Sequence, residues 1–551
     1  MHSSAALERS RSGGWWGPLV LFLGAALLYS INLNKLPHPD ELHHVLAAQG
    51  LLETGQPRIA EGVYSRTLLY TWLVAQSFAL FGYSLAAARI PALLPMAALV
   101  ALLFVWLRHT AGPRAAWIGA LLFGISPFAF ETAQFSRFYA LQMLCLFAAA
   151  ASVYGALESA TVGRRLGLAL IAASTSVLAL YLQPTTIMGL AGIALWLAGA
   201  LLLPLLLDPS LSRPRKWALV LVLLGLGVLG VLGGFATGLL PELWATYRST
   251  PLFNESTNDQ FWYYHAWYSL LYPTLWPATG VLALVAIAAL PRVGSYLVTV
   301  FATAFLLSSF GAAKNLRYVA YAQPFLFALW GIALATLWKP SETFLRELTA
   351  RIRVALPTDW PAQATLAAAM VTAALAFLIV ANPAWLRTAS LLANVTIPPE
   401  QPPANWPAAR DALEPWVQRA NIVVTTEELG ALYFLGRYDV RYSPSKMEEL
   451  PHEQRREFGL DHRTGRPVIA TAASLERLID CYPSGLIVGP ADDWGKPHKI
   501  SAELARLITD RAAPVPLPSK ARLYAYAWER PKAAAPPEAC AELPTIATAR
   551  P

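Results

Sequence analysis

The chain has 551 residues, of which 56% are hydrophobic and only 14% are charged, and its mean hydropathy is +0.44. A composition this apolar excludes an ordinary soluble enzyme of several domains and predicts an integral membrane protein. The formal net charge of +8 does not predict a nucleic-acid partner, because basic residues also fix the orientation of membrane helices.

Apolar runs recur along most of the chain and predict a polytopic α-helical membrane protein. A helix that crosses the hydrocarbon core needs roughly 17–25 residues, and most of the runs approach that length. We therefore predict about eleven transmembrane helices. The runs cover residues 15–33, 86–107, 118–130, 139–157, 166–182, 187–207, 217–240, 270–290, 296–310, 319–338 and 364–380.

Basic residues precede the first run and then fall in alternate loops. Lys and Arg in short loops are retained on the cytoplasmic side, so this pattern predicts a cytoplasmic N-terminus in the inner (plasma) membrane. The first run is long and lacks a small-residue cleavage site, so we expect it to stay as a span. An odd number of spans then places the C-terminal region outside. The basic positions are Arg9, Arg11, Arg108, Arg114, Arg164, Arg165, Arg213, Arg215, Lys216, Arg292, Lys339, Arg346, Arg351 and Arg353.

Residues 34–85 form a long predicted external loop with an amphipathic pattern. Two interfacial helices fit it, one from Pro39 towards Gly55 and one over residues 67–81. The second helix could alternatively be a span. We prefer the interfacial interpretation, because an extra crossing would place every later basic loop outside.

A second predicted external loop, residues 241–269, carries a cluster of aromatic side chains. Such rings are typical of the aromatic belt at the lipid headgroups, and they are also suited to contact sugar faces or an isoprenoid chain. Both interpretations stay open. The cluster comprises Phe261, Trp262, Tyr263, Tyr264, Trp267 and Tyr268.

From residue 383 onwards the composition becomes that of a soluble domain, so we divide the chain into residues 1–382 and 383–551, with Pro-rich stretches near 398–407 and 531–537. Strand patterns at 422–425, 468–471, 486–488 and 523–528 alternate with helix patterns at 408–419, 473–479 and 502–508, which predicts a small extracytoplasmic α/β domain. A disulfide between Cys481 and Cys540 would be chemically allowed there, and composition does not decide whether they pair.

Ionisable groups at the membrane face are the best functional candidates, because burying them is costly unless they are used or paired. The segment His38-Pro39-Asp40-Glu41-Leu42-His43-His44 supplies two acids immediately after the first span. The alternative is ordinary helix-start chemistry, with Pro in the first turn and acids at the positive end of the helix dipole.

The same segment raises a metal alternative, because Asp40, His43 and His44 are spaced i, i+3 and i+4 on a helix. No second ligand cluster and no HExxH pattern accompanies them. We therefore predict no required cofactor and no metal site, with a divalent metal as the weaker alternative.

Two further groups carry cations at the predicted outer face. Arg137 and Tyr139 stand at the start of one span, and Lys314, Arg317 and Tyr318 precede another. Cations on this side oppose the usual charge bias, and a phosphate or pyrophosphate head group would explain them. The alternative is that they reach out to ordinary lipid phosphates.

Together these groups resemble the GT-C superfamily of membrane glycosyltransferases, and within it glycosyltransferase family 39, the protein O-mannosyltransferase and lipid A aminoarabinose transferase branch. The resemblance covers roughly residues 15–382, and such proteins also often carry an external soluble tail, which this chain is predicted to have. Its motifs are Asp40-Glu41, the stretch from Tyr64 to Leu73, Phe81-Gly82, Ala88-Arg89-Ile90-Pro91, and Lys314 to Tyr318 before Pro324.

The resemblance implies a GT-C fold and inverting transfer of a sugar from a polyprenyl-phosphate-linked donor to an acceptor hydroxyl on a protein, lipid A or an envelope glycan. Asp40 would act as general base and Glu41 would orient it or the acceptor. The donor phosphate would be bound by Lys314, Arg317 and Arg66. The substrate cavity would be lined by Arg137, Tyr139, Tyr318, His43 and His44.

The chain departs from the family pattern in two places. Arg66-Thr67-Leu68 replaces a common Lys-Pro-Pro, which weakens the role implied for Arg66, and Gln183-Pro184-Thr185 replaces a frequent His. These differences leave the donor sugar and the acceptor open. The alternative function, a lipid-linked-sugar flippase or transporter, would predict internal repeats and symmetrically broken helices, which the sequence lacks.

Overall fold

The structure, a computed structural model, describes residues 16–248, 260–312, 314–353, 362–398, 401–532, 540 and 543. Several features of the sequence lie outside the described residues. These are Arg9 and Arg11, the part of the aromatic loop at 249–259, most of the Pro-rich stretch at 531–537, and the side chains of Lys339, Arg346, Arg351 and Arg353.

Seven helices of the described chain are long and apolar enough to cross a membrane. Their apolar faces are extensive, and the chain is therefore an integral membrane protein. They are Leu85–Thr110, Tyr139–Glu158, Val162–Leu182, Pro184–Leu207, Arg213–Ala236, Pro291–Phe310 and Leu316–Trp338.

Three further apolar stretches are pairs of helices that meet at a bend. Pro113–Gly124 meets Pro127–Ala133 at 60°, Tyr263–Leu271 meets Leu275–Ala289 at 96°, and Ala368–Val380 meets Pro383–Ala393 at 43°. A proline stands in or just after each break, where it cannot donate the backbone hydrogen bond that would continue the helix. If each pair is one span, the described residues hold up to ten.

The first predicted span is the apolar helix Trp16–Ser30, which has 15 residues. Each of the eleven predicted runs therefore coincides with a helix or with a bent pair. The number of crossings itself stays a prediction, because the first helix is short and three others are bent.

The chain forms two compact units. Unit 1 comprises residues 1–32, 92–134 and 138–395, and unit 2 comprises residues 33–91, 135–137 and 396–551. The predicted domain boundary between residues 382 and 383 stays a prediction.

Unit 1 is a helical bundle in which small residues allow close backbone contacts. The span Leu316–Trp338 lies at its centre, with 94% of its apolar window buried. A Cβ atom on Gly331 would lie 2.8 Å from the backbone of Ala115 and Gly119. Close approach of this kind is typical of helix packing in membranes, where small residues permit extensive van der Waals contact.

Unit 2 contains the two helices predicted in the first loop. They are Pro39–Thr54 and Leu68–Phe81, and strands β1 (Arg58–Ile59) and β2 (Gly62–Val63) form an antiparallel pair between them. The first helix begins at a capping box and ends at Gly55, whose φ of 75° suits glycine. The helices are confirmed, and their place at the bilayer surface stays a prediction.

Unit 2 also contains the predicted α/β domain. Its seven-stranded mixed sheet has the order β5-β6-β4-β3-β7-β9-β8. The strands are β3 (Ile422–Thr425), β4 (Val440–Tyr442), β5 (Gly459–Asp461), β6 (Arg466–Ile469), β7 (Ser484–Pro490), β8 (Ala513–Pro514) and β9 (Leu523–Glu529), and the helices are Trp406–Arg419, Glu428–Leu435, Pro444–Glu449, Ala472–Cys481 and Ala502–Arg511.

All four predicted strands and all three predicted helices of this domain are present. The sequence missed β4, β5, β8 and two short helices, because segments this short carry almost no periodicity. Apolar side chains pack on both faces of the sheet, in two clusters that include Val424 and Ile487 on one face and Val423 and Leu486 on the other. Cys481 and Cys540 form a disulfide.

Candidate active site

The site is built on the N-terminal turn of the helix Pro39–Thr54. Pro39 occupies the first turn, where its missing N–H costs nothing. The Asp40 N–H donates to Nδ1 of His38 at 3.1 Å, and the His38 N–H donates to Oε1 of Glu41 at 2.9 Å. This reciprocal cap fixes the direction in which the two neighbouring acids leave the helix.

Glu41 is sealed inside unit 2. The guanidinium of Arg89 donates to both carboxylate oxygens at 2.8 and 2.9 Å, and the Ser136 N–H donates at 2.9 Å. Burial alone would raise the pKa of Glu41, but the charge and hydrogen bonds of Arg89 hold it below its ordinary value. Arg89 also donates to the carbonyls of Leu33 and Lys35. Glu41 is therefore an ionised anchor that joins three segments.

Asp40 faces a different environment, because about 32% of its side chain is exposed, against 3% for Glu41. Its backbone carbonyl accepts from Nη1 of Arg137 at 2.9 Å and contacts Nδ1 of His43 at 3.3 Å. Arg137 and His43 thus hold the main chain of Asp40, while its carboxylate is partly exposed and lies 3.8 Å from Nδ1 of His38.

His43 and His44 are buried beside these acids. The His43 ring stacks on Tyr64 at 5.2 Å, and Nδ1 of His44 contacts Oγ1 of Thr71 at 2.9 Å. Burial, helped by the nearby charges of Arg463 and Arg137, lowers the pKa of His43 to about 3. Burial, together with the charges of Arg137 and Arg66, also lowers the pKa of His44. Both rings are therefore neutral at physiological pH.

The metal alternative draws no support from this geometry. Both ring nitrogens of His43 already contact protein groups, Asp40 on one side and Arg463 on the other. Within the described part of the chain, no three His, Cys, Asp or Glu side chains are grouped as metal ligands. Whether the protein needs a metal stays untested.

The second set of predicted residues lies in unit 1. Lys314 is buried and donates to the carbonyl of Gly311, and the short helix Leu316–Val319 begins with Asn315 as its cap. Arg317 lies over the ring of Tyr139, with 5.9 Å between the guanidinium carbon and the ring centroid. The fold therefore brings Arg317 and Tyr139 together from distant parts of the sequence, and Tyr318 follows Arg317 directly on the chain.

The side chains of the aromatic cluster differ in their burial. The helix Tyr263–Leu271 buries Tyr264 and Tyr268, whereas Trp262 is exposed. The hydroxyl of Tyr264 donates to the Asn315 carbonyl at 3.2 Å, so this ring supports the segment that carries Lys314 and Arg317. At least part of the cluster is therefore packing inside unit 1.

Within unit 2, the structure brings together Asp40, Glu41, His43, His44 and Arg137, and the charge of the exposed Arg66 acts on His44. Sequence reasoning missed the roles of Arg89 and Arg463. Arg89 could have been found, because a lone cation in an apolar run requires an acidic partner. Arg463 could not, because 420 residues separate it from His43.

Known structures share this fold. ArnT from Cupriavidus metallidurans, solved in the apo state and bound to undecaprenyl phosphate, matches with a TM-score of 0.55 and 16% identity, covering 93% of this chain and 98% of ArnT. The archaeal oligosaccharyltransferase AglB from Archaeoglobus fulgidus, in complex with an inhibitory peptide and a dolichol-phosphate, matches with a TM-score of 0.53 and 12% identity, covering 87% of this chain and 70% of AglB.

No family model matches the chain, and no curated protein matches it. The structural matches show that the chain has the GT-C fold, and its C-terminal part contains a sheet. The fold implied by the sequence resemblance is confirmed.

Proposed function

We propose that this protein is an inverting glycosyltransferase that moves a sugar from a polyprenyl-phosphate-linked donor to an acceptor hydroxyl. One observation carries the proposal. Of two adjacent carboxylates at the same capped helix start, Glu41 is buried and paired with Arg89, whereas Asp40 is about 32% exposed. A fixed, accessible carboxylate is what a general base requires.

In the proposed step, the Asp40 carboxylate accepts the proton of the acceptor hydroxyl as the acceptor oxygen bonds to the anomeric carbon of the sugar. The bond between that carbon and the phosphate oxygen breaks, and its electron pair stays on the lipid phosphate. Attack from the face opposite the leaving group inverts the anomeric carbon. Glu41 acts through position, because it anchors the helix turn that carries Asp40.

The leaving lipid phosphate gains negative charge during this step, and cations that meet it there lower the barrier. We assign this role to Lys314, Arg317 and Arg66, the residues that the sequence resemblance implies. Arg137, Tyr139, Tyr318, His43 and His44 are proposed to line the substrate cavity. The donor class is supported by ArnT, which binds undecaprenyl phosphate, and by AglB, which binds a dolichol-phosphate.

The acceptor is proposed to be a protein, lipid A or an envelope glycan reached from the extracytoplasmic side of the inner membrane. This side follows from the predicted cytoplasmic N-terminus. No cofactor enters the proposed step. Loss of transfer after treatment of the purified protein with a chelator would instead establish a divalent-metal requirement.

The proposal is tested by transfer from a panel of polyprenyl-phosphate sugars to membrane extracts, with each variant purified to equal folded yield. We expect Asp40→Asn to lose roughly 10²- to 10⁴-fold in rate, because the base is removed. We expect Arg317→Ala to lose roughly 10²-fold, because leaving-group stabilisation is weakened.

Two control variants match these changes. Glu53→Gln neutralises an acid at the far end of the same helix, and Arg292→Ala removes an exposed cation of unit 1 that pairs with Glu158. Both should transfer at the wild-type rate. Full activity of Asp40→Asn would contradict the base role. Absence of transfer from every donor would favour the flippase or transporter alternative.

A further inference from the structure

The loop between β5 and β6 of the α/β domain lies directly against the β1–β2 hairpin. The Glu61 N–H donates to the carbonyl of Thr464 at 3.1 Å. A Cβ atom on Gly62 would lie 2.5 Å from the carbonyl carbon of Arg463, and one on Gly465 would lie 2.8 Å from that of Glu61. Two glycines therefore permit a backbone contact that no other residue type would allow.

An ion pair reinforces this contact at its edge. Arg466 donates to both carboxylate oxygens of Glu61, at 2.8 and 3.1 Å. Such a bidentate ion pair fixes the relative orientation of the two side chains as well as the distance between them. The loop is consequently held in one register on the hairpin that follows the Asp40 helix.

Arg463 extends from this loop to the ring of His43. Its Nη1 lies 3.1 Å from Nε2 of His43, while its Nε and Nη2 donate to the carboxylate of Asp461 at 3.3 and 3.1 Å. Glu428 lies 3.7 Å from the same guanidinium. Burial would raise the pKa of Asp461, but Arg463, Lys446 and Arg441 lower it to about 2, so the anchoring carboxylate is ionised.

The contact with Arg463 determines which nitrogen of His43 carries the proton. A guanidinium only donates hydrogen bonds, so Nε2 of His43 must accept. The proton of the neutral ring is then on Nδ1, which faces the Asp40 carbonyl at 3.3 Å. A chain of contacts thus runs from Asp461 through Arg463 and His43 to the main chain of Asp40.

We propose that Arg463 is a positioning residue, through which the α/β domain fixes the His43 tautomer and so the orientation of the proposed base Asp40. The proposal rests on the proposed function for its effect on transfer, and on geometry alone for its effect on His43. It also gives the α/β domain a specific task, which is to complete a site that begins more than 400 residues earlier in the chain.

The test is nitrogen NMR of the full-length protein in lipid bilayers with ¹⁵N-labelled histidine. The chain has nine histidines, so the His43 signals are assigned by their loss in His43→Gln. We expect protonated Nδ1 and unprotonated Nε2 in the wild type. We expect Arg463→Met to give a mixture of tautomers, and Arg463→Lys to restore part of the wild-type signal because it keeps a donor.

Transfer assays on the same samples give the second readout. We expect Arg463→Met to lower kcat roughly 10- to 100-fold with little change in KM, because the base is misplaced while substrate contacts stay. Arg466→Met is the matched control, since it removes the neighbouring pair with Glu61 and leaves the His43 contact in place. It should keep the His43 tautomer and most of kcat.

A wild-type His43 protonated on Nε2, or an unchanged tautomer in Arg463→Met, would overturn the proposal. An equal loss of kcat in Arg463→Met and Arg466→Met would also overturn it, because it would indicate loosened docking alone. Absence of transfer in every sample would contradict the proposed function and leave the NMR test of His43 intact.

Discussion

Two glutamates of unit 2 have pKa values that are shifted in opposite directions. Glu41, at the start of its helix, accepts three hydrogen bonds from Arg89 and Ser136, and its pKa is lowered. Glu427 follows β3 in the α/β domain and accepts one long bond, 3.3 Å, from the indole of Trp406. Burial raises the pKa of Glu427 to about 7, and the nearby carboxylates of Glu428 and Asp493 add to that effect.

The difference between the two pKa shifts shows that burial alone does not decide the charge of an acid. A buried carboxylate stays ionised when a cation and backbone donors replace the water that it has lost, and otherwise it takes up a proton. Glu41 is thus a permanent charge that joins segments, whereas Glu427 is a group that titrates near neutral pH.

The largest loss of folding stability is expected for Glu41→Gln. Removing one partner of a buried ion pair leaves Arg89 uncompensated, and such changes cost about 3–5 kcal/mol of stability. Thermal or chemical unfolding of the purified protein measures this loss. Asp40→Asn, one residue away, is the control and should unfold within about 0.5 kcal/mol of wild type. Equal unfolding midpoints for the two variants would refute the anchoring role of Glu41.

A smaller loss of folding stability is expected for Arg89→Lys. Lysine keeps the charge, but its single ammonium cannot serve the Glu41 carboxylate and the carbonyls of Leu33 and Lys35 together. We expect a loss of about 2–3 kcal/mol, equivalent to one or two charge-assisted hydrogen bonds. A stability equal to wild type in the same unfolding assay would show that charge alone holds Glu41.

The smallest effect, counted per pH unit, is a pH dependence of the free energy of unfolding that comes from Glu427. Its folded pKa of about 7 exceeds the ordinary 4.5, so the folded protein binds more protons than the unfolded chain between these values. The contribution of Glu427 is fully present below pH 4.5 and is lost as pH rises to 7, at roughly 1.4 kcal/mol per pH unit. Glu427→Gln should abolish this slope.

The slope is measured from unfolding midpoints at pH 5, 6 and 7 for wild type and Glu427→Gln. Glu414 is an exposed acid on the helix Trp406–Arg419. The variant Glu414→Gln is therefore the control and should follow the wild-type curve. Parallel curves for wild type and Glu427→Gln would contradict a raised pKa of Glu427.

The amino-acid sequence alone was enough to predict the class of protein, the helical runs and the main elements of the α/β domain. These properties depend on composition and on periodicity over a few residues, which local patterns record. It also selected Asp40, Glu41, Arg137, Lys314 and Arg317, because charges beside apolar runs require an explanation.

The role of each of those charged side chains depends on its tertiary contacts, which the sequence does not show. Two contacts that define the site join residues that lie far apart in the chain. Arg89 pairs with Glu41, and Arg463 contacts His43. The position of a distant partner is set by the packing of whole helices and strands, and no local pattern encodes it. The sequence could thus identify two adjacent acids, and folding alone made one an anchor and left the other accessible.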